Sequence, residues 1–296
     1  MRKVMTGLAH TGLSQESVLV TQWSVRLEII ALLFAATLLY CWGLRPPGRR
    51  RVRIGPIGGA SFFLGLAVVS VALMSPLDSL GPTIFSAHMI QHLLLMVVAA
   101  PLVVLGRPLL TITSGPPASI RRAASRLERT GAARLLRKGM DNVVLVGILQ
   151  VLVLWAWHLP DLYQSALDDE GVHAFEHATF FFAALLFWRL VLSRKLRPMY
   201  PVRVLLVFLT GLQSAALGAL ITLAGRRLYE SQSLGSEIWS LTPLEDQVLA
   251  GIIMWVIPGI LYFVVMIALL LRWFRQMDAS TSTARGARGA ARLEGG

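Results

Sequence analysis

The chain has 296 residues, of which 55% are hydrophobic, and it carries a formal net charge of +12. Its mean hydropathy of +0.64 excludes an ordinary soluble domain and indicates an integral membrane protein. The positive charge alone would suit nucleic-acid binding, but it follows the connections between apolar segments, so we expect no nucleic-acid partner. The single cysteine, Cys41, excludes a disulfide within the chain and a C-x-x-C metal or redox motif.

Apolar segments long enough to cross a bilayer as helices recur along the chain, since a span needs about 20 residues. We predict seven of them, at residues 28–44, 57–76, 84–105, 143–161, 173–192, 202–224 and 247–271. The predicted fold is therefore all-α, an integral membrane bundle of seven transmembrane helices. This membrane domain would cover residues 28–276, after an outer segment 1–27 and before a tail 277–296, whose small and charged residues predict disorder.

The basic residues are concentrated on alternate connections. Twenty-two of the 28 Lys and Arg residues lie in residues 45–53, 106–140 and 193–203 and in the tail from Arg272. The opposite connections carry five. The positive-inside rule then predicts that the N-terminus is outside and the C-terminus is cytoplasmic. We expect a multi-pass protein of the plasma membrane whose basic surfaces contact membrane lipid.

Two connections are long enough to have structure of their own. Residues 118–139, within the basic loop 106–140, mix Arg with large apolar residues, which is typical of a helix lying on the cytoplasmic leaflet. A solvated loop is the alternative. On the other side, residues 225–246 include Leu228 and Tyr229 and would cap the outer face as a lid, contact a partner, or form an ordinary amphipathic loop.

The histidines are distributed in a pattern that indicates a shared site. Two pairs, His88/His92 and His173/His177, have the i, i+4 spacing that places both imidazoles of a pair on one helix face. With alternating spans, both pairs and His158 fall near the outer ends of three different helices. Ionisable side chains inside membrane segments are rare and usually functional. These five imidazoles therefore predict a metal site at one depth of the bundle.

The available ligands at this face favour copper. Imidazole suits copper, zinc, iron and nickel, and a thioether adds a preference for Cu(I). Met89 and Met254 offer thioethers on two of the predicted spans. Asp78, Glu176 and Asp246 would support the site by accepting hydrogen bonds from metal-bound imidazoles. Zinc held by the same imidazoles is an alternative.

Other cofactor chemistries fit parts of the pattern. His92 and His177 could hold a haem between facing helices, which would make the chain a redox or haem-handling membrane protein. Residues 173–177 also match the H-x-x-E-H zincin motif, with Glu245 or Asp246 as a third ligand. Di-iron desaturases need more histidines, and a retinal protein needs a lysine inside a span, whereas all three lysines here lie outside the predicted spans.

Several short motifs near one end of the predicted spans are more specific together than separately. They are Ser75-Pro76-Leu77-Asp78, His88-Met89-Ile90-Gln91-His92, Trp157-His158-Leu159-Pro160 with Asp161-Leu162-Tyr163, His173 with Glu176 and His177, Glu245-Asp246-Gln247, Gly251, and Met254-Trp255. In these residues, and across most of the membrane region, the chain resembles the multi-span CtaG family of cytochrome c oxidase assembly factors. Single-span copper chaperones that share the CtaG name differ, because they carry a soluble outer domain with paired cysteines.

The resemblance implies a plasma-membrane protein that is not an enzyme and is needed to build the copper centre of a haem-copper oxidase. The expected partners are the oxidase subunits and an outer-side copper donor. Direct copper transfer and scaffolding are both compatible with the resemblance.

Overall fold

The computed structural model describes residues 23–45, 54–114, 119, 122, 125–126, 128–193, 200–229 and 240–294. Within these ranges the regular structure is entirely helical. The elements are α1 (Leu27–Leu44), α2 (Pro56–Met74), α3 (Pro76–Leu80), α4 (Phe85–Leu93), a π-helix (Leu94–Ala99), α5 (Ala100–Leu105), α6 (Pro108–Ser114), α7 (Gly131–Asp141), α8 (Val143–Trp157), α9 (Pro160–Asp168), α10 (Glu170–Val191), α11 (Tyr200–Leu223) and α12 (Pro243–Glu294).

The apolar helices of this bundle confirm an all-α membrane architecture. In the part of the chain described, six helices or continuous helical runs are long and apolar enough to cross a membrane. They are Leu27–Leu44, Pro56–Leu80, Phe85–Thr113, Glu170–Val191, Tyr200–Leu223 and Pro243–Asp278. A seventh span results if α7 and α8, which meet at a bend of 74°, are counted as one. The predicted spans correspond to these segments in order.

The fourth predicted span, residues 143–161, is shorter than expected. Helix α8 has only 15 residues and ends at Trp157. Pro160 explains the difference, because a proline disfavours helical geometry in the residue before it, and Leu159 is extended. The rest of the predicted span belongs to the separate helix α9, and the chain therefore turns at His158.

A π-helix interrupts the third span just after its histidine pair. Residues Leu94–Ala99 adopt the wider π geometry, and Pro101 follows in α5. Proline lacks the backbone N–H of a regular helix and clashes with the carbonyl four residues earlier, which favours a local change in winding. The indole N–H of Trp188 on α10 donates to the carbonyl oxygen of Met96 at 2.9 Å. This contact anchors the π-helix to α10, the second histidine-bearing helix.

Helices α11 and α12 pack closely because glycines face each other. A Cβ on Gly251 would lie 2.8 Å from the carbonyl oxygen of Gly218, and one on Gly218 would lie 2.9 Å from that of Gly251. Small residues at such crossings let two membrane helices approach at backbone distance. The contact fixes the start of α12, where Asp246 lies, against the rest of the bundle.

Helix α7 forms part of the basic region for which the sequence predicts a helix at residues 118–139. Residues 131–141 form α7, which has no buried residue and begins with a cap from Thr130 to the amide of Ala133. Part of the predicted basic helix 118–139 is thus helical, while most of residues 115–127 lie outside the described residues.

The backbone of α12 continues to Glu294, whereas we expected disorder from residue 277. Alanine and arginine, which are frequent there, are strong helix formers.

Candidate metal centre

Four imidazoles surround one carboxylate in the interior of the bundle. Helix α4 contributes His88 and His92, and α10 contributes His173, Glu176 and His177. The ring centroids of His88 and His173 are 5.2 Å apart and nearly parallel, and those of His92 and His177 are 5.1 Å apart. Each i, i+4 pair has its own centroids 4.3 Å apart. The structure thus brings both pairs into one cluster.

Glu176 lies at the centre of this cluster. Its Oε2 is 3.6 Å from His88 Nε2, and its Oε1 is 3.7 Å from His92 Nε2. These separations are too long for good hydrogen bonds. Two overlapping groups, His88–His173–Glu176 and His92–His177–Glu176, each place three candidate ligand atoms within 4.8 Å of one another. We predicted that Glu176 would support the imidazoles, and the structure places it among them as a candidate ligand.

The polar atoms of the cluster are buried without partners. Both ring nitrogens of His88 and His92, Nε2 of His173 and His177, and both carboxylate oxygens of Glu176 have no hydrogen-bond partner among the described residues. Leaving buried polar groups unpaired is costly, and a native protein rarely tolerates so many in one place. Metal coordination, through one nitrogen of each imidazole and the oxygens of Glu176, would satisfy most of these atoms. The donor set of imidazole and carboxylate therefore fits a transition metal.

Asp246 positions the helix that carries the first histidine pair. Its Oδ2 accepts from the Phe85 amide at 2.7 Å, and its Oδ1 accepts from the Ser86 amide at 3.1 Å and from the Ser86 hydroxyl. The first amides of a helix have no partner within the helix, so Asp246 acts as an N-terminal cap supplied by α12. We expected Asp246 to orient an imidazole directly. Among the described residues, the hydrogen bonds of Asp246 instead go to the first two residues of α4 and fix the start of that helix.

Asp78 supports the cluster in a similarly indirect way. It pairs with the Arg26 guanidinium at 2.9 Å and accepts from the Ser24 hydroxyl at 2.9 Å. Its other oxygen accepts from the side-chain amide of Gln91 at 3.0 Å, and that amide also donates to the carbonyl oxygen of Ala72. Since Gln91 precedes His92, this network fixes the rotation of α4 relative to α2. The expected direct contact from Asp78 to an imidazole is replaced by this link through Gln91.

His158 lies beside the cluster but belongs to neither three-residue group. Its Nδ1 is 2.7 Å from the carbonyl oxygen of Leu154, so Nδ1 carries the proton and donates, while Nε2 is buried and has no partner in the described ranges. Together with His92, Met89 and Met254 it lines a cavity of about 30 Å³. The two methionines that we predicted as supporting residues therefore face this cavity, next to the cluster.

The first residues of the connection after α11 cover the same end of the bundle. The Tyr229 hydroxyl donates to the carbonyl oxygen of His158 at 2.8 Å, and its ring packs against Phe85 and Tyr163. Burial raises the pKa of Tyr229, so the hydroxyl stays protonated and able to donate. The Leu228 amide donates to the side-chain oxygen of Gln247. These contacts favour the lid interpretation for the start of residues 225–246, and residues 230–239 lie outside the described chain.

Sequence reasoning missed several residues of this site. It did not single out Arg26, Ser86 or Gln91 as supports, although Gln91 is a polar side chain in an apolar helix between the paired histidines. That position was the available signal. The partners of Arg26 and Ser86 are 52 and 160 residues away, so only the tertiary structure identifies them.

The geometry argues against two alternatives. The rings of His92 and His177 are in direct edge-to-face contact, which leaves no gap for a porphyrin between them. The zincin alternative lacks its proposed third ligand, because Asp246 caps α4 and Glu245 accepts hydrogen bonds from Thr242. The site is instead a compact, buried histidine–carboxylate cluster.

A multi-span helical membrane protein with a buried histidine–glutamate centre is the class that this fold and site define. Residues 38–276 match the family model described as cytochrome c oxidase caa3 assembly factor (Caa3_CtaG). This match covers most of the chain, and the protein therefore belongs to that family. No curated protein and no solved structure matches the chain.

Proposed function

We propose that this protein assists the assembly of cytochrome c oxidase by binding copper in the cluster of His88, His92, His173, His177 and Glu176. One observation carries the proposal: six of the eight imidazole nitrogens and both carboxylate oxygens of this cluster are buried and have no hydrogen-bond partner among the described residues. Because the family is described as a cytochrome c oxidase assembly factor, we propose the oxidase as the complex whose assembly this protein assists. The oxidase subunits are accordingly the proposed partners, together with an outer-side copper donor.

Copper fits the donor set better than the other metals considered. Imidazole binds copper and zinc well, and among divalent first-row ions copper binds nitrogen and oxygen ligands most tightly. Met89 and Met254, which line the adjoining cavity, could stabilise Cu(I) as it enters or leaves. Zinc would use the same imidazoles but would gain little from the thioethers.

Burial of the cluster supports a metal-holding role instead of an enzymatic one. The five side chains are between 0% and 6% exposed. An ion can reach such a site through small movements of the surrounding helices, whereas a larger substrate would require the bundle to open. We propose that the protein holds copper, or passes it on, without catalysing a reaction.

The charge distribution supports an orientation with the cluster near the outer face of the plasma membrane. The cluster lies at the ends where α4 and α10 begin, opposite to the basic stretches of the sequence. The positive-inside rule then assigns the cluster to the outer side. Copper would thus be received and released outside the cytoplasm.

The test is to replace His88, His92, His173 and His177 by alanine in cells that are limited for copper. Alanine is a good helix former, so the protein should still accumulate in the membrane, which immunoblotting would check. The oxidase should then retain its haem but be depleted of copper and low in activity. Added copper should partly restore it, because mass action refills weakened sites. Full oxidase activity with a stably accumulating variant would contradict the proposal.

A further inference from the structure

We infer that the cluster binds two metal ions bridged by the carboxylate of Glu176. One ion would be held by His88 and His173, the other by His92 and His177. This inference rests on the proposed metal-binding function and adds to it the number of ions and the role of each side chain.

The first step is that the four imidazoles divide into two groups across the helices. Each group takes one histidine from α4 and one from α10: His88 with His173, and His92 with His177. The two histidines of one helix are four residues apart, so the groups lie about one helical turn from each other along the bundle. Each group has its own place for an ion, and both places adjoin Glu176.

The second step is that Glu176 offers a different oxygen to each group. Oε2 faces His88 Nε2 at 3.6 Å, whereas Oε1 faces His92 Nε2 at 3.7 Å. In a four-coordinate metal site with metal–ligand bonds of about 2.0–2.2 Å, two ligand atoms are separated from each other by nearly the same distance as these oxygen–nitrogen pairs. An ion therefore fits between each oxygen and its imidazole without a large movement of either helix. A single central ion would have to draw four rings towards one point.

The third step concerns charge. Two cations held close together in a buried site repel each other, and water cannot screen them there. A carboxylate placed between them attracts both and reduces this repulsion. Glu176 is fully buried, and neither of its oxygens has a hydrogen-bond partner within the described part of the chain, so both oxygens are available for bridging.

The experiment counts ions in the purified full-length protein. The detergent-solubilised protein is loaded with Cu²⁺, freed of excess ion, and measured for copper per chain by mass spectrometry and for magnetic coupling by electron paramagnetic resonance. Wild type should hold two copper ions, whose signal is weakened because neighbouring Cu²⁺ ions couple. His88→Ala/His173→Ala and His92→Ala/His177→Ala should each hold one ion with a full, uncoupled signal.

Two further variants distinguish loss of the Glu176 bridge from a nonspecific loss of metal binding. Glu176→Gln keeps the shape but removes the negative charge, and it should bind both ions at least about tenfold more weakly, because even side chains that only support a metal ligand contribute about 10–100-fold to affinity. His158→Ala is the matched control, because His158 is a buried histidine outside both groups; it should still hold two ions.

The outcomes distinguish this inference from the proposed function. One copper ion in wild type, lost in either double variant, would overturn the two-ion site and leave copper binding intact. Two ions bound equally tightly by Glu176→Gln would overturn the bridge. A wild-type protein that binds no copper would overturn both the inference and the proposed function.

Discussion

At the scale of single residues, the histidine cluster depends on two acids whose described hydrogen bonds go to other residues. Asp246 caps the helix that carries His88 and His92, and Asp78 fixes that helix through Gln91. Both carboxylates are buried. Removing either would leave buried donors without an acceptor, which costs more than the hydrogen bonds themselves contribute.

Replacing Asp246 by alanine should therefore destabilise the protein and weaken copper binding together. The amides of Phe85 and Ser86 would lose their acceptor, at a cost of about 1–3 kcal/mol for buried unpaired groups. The measurements are the thermal midpoint of the purified protein and its copper content. Asp278→Ala is the control, because Asp278 is an exposed acid on the same helix, far from the cluster. An equal loss in both variants would contradict the capping role assigned to Asp246.

At the scale of helices, the site depends on close packing between α11 and α12. Their glycines meet at backbone distance, and this contact positions the start of α12, from which Asp246 reaches α4. The π-helix after His92 has a comparable role, since Trp188 ties it to α10. The two histidine-bearing helices are thus also linked below the cluster, about one turn after His92 on α4 and about three turns after His177 on α10.

A methyl group at the α11–α12 crossing should disturb this packing. In Gly251→Ala the new Cβ would lie 2.8 Å from the carbonyl oxygen of Gly218, which is backbone and cannot turn aside. Such overpacking typically costs about 1–3 kcal/mol. Gly259→Ala lies on the same helix with nothing within 4 Å, and it should be neutral or stabilising by up to about 1 kcal/mol because alanine favours helix. Thermal unfolding of the two variants measures the difference; equal midpoints would contradict the close crossing.

At the scale of the whole molecule, the sequence predicted the spans and the meeting of the two histidine pairs, but not their contacts. Hydropathy shows where a helix crosses the membrane, and i, i+4 spacing shows which residues share a face. Neither gives the rotation of one apolar helix against another. His158 is the example: its depth was predictable, but its Nδ1 donates to its own helix at Leu154. The central position of Glu176 likewise emerges only when α4 and α10 are packed together.

The orientation of the molecule is a prediction that the charge pattern makes and that labelling can test. With Cys41 replaced by serine, a cysteine at Asp168 would lie at the end of α9, at the cluster end, and one at Arg129 would precede α7, at the basic end. Both positions are exposed. An impermeant thiol reagent applied to intact cells should label the first variant and leave the second unlabelled until the membrane is opened.

This result is expected because 22 of the 28 basic residues lie on the side of Arg129, and positive connections are retained in the cytoplasm. Labelling of both variants after permeabilisation serves as the control for thiol reactivity. The reverse pattern in intact cells would place the cluster on the cytoplasmic side. Copper would then have to be supplied from inside the cell, and the proposed outer-side donor would be wrong.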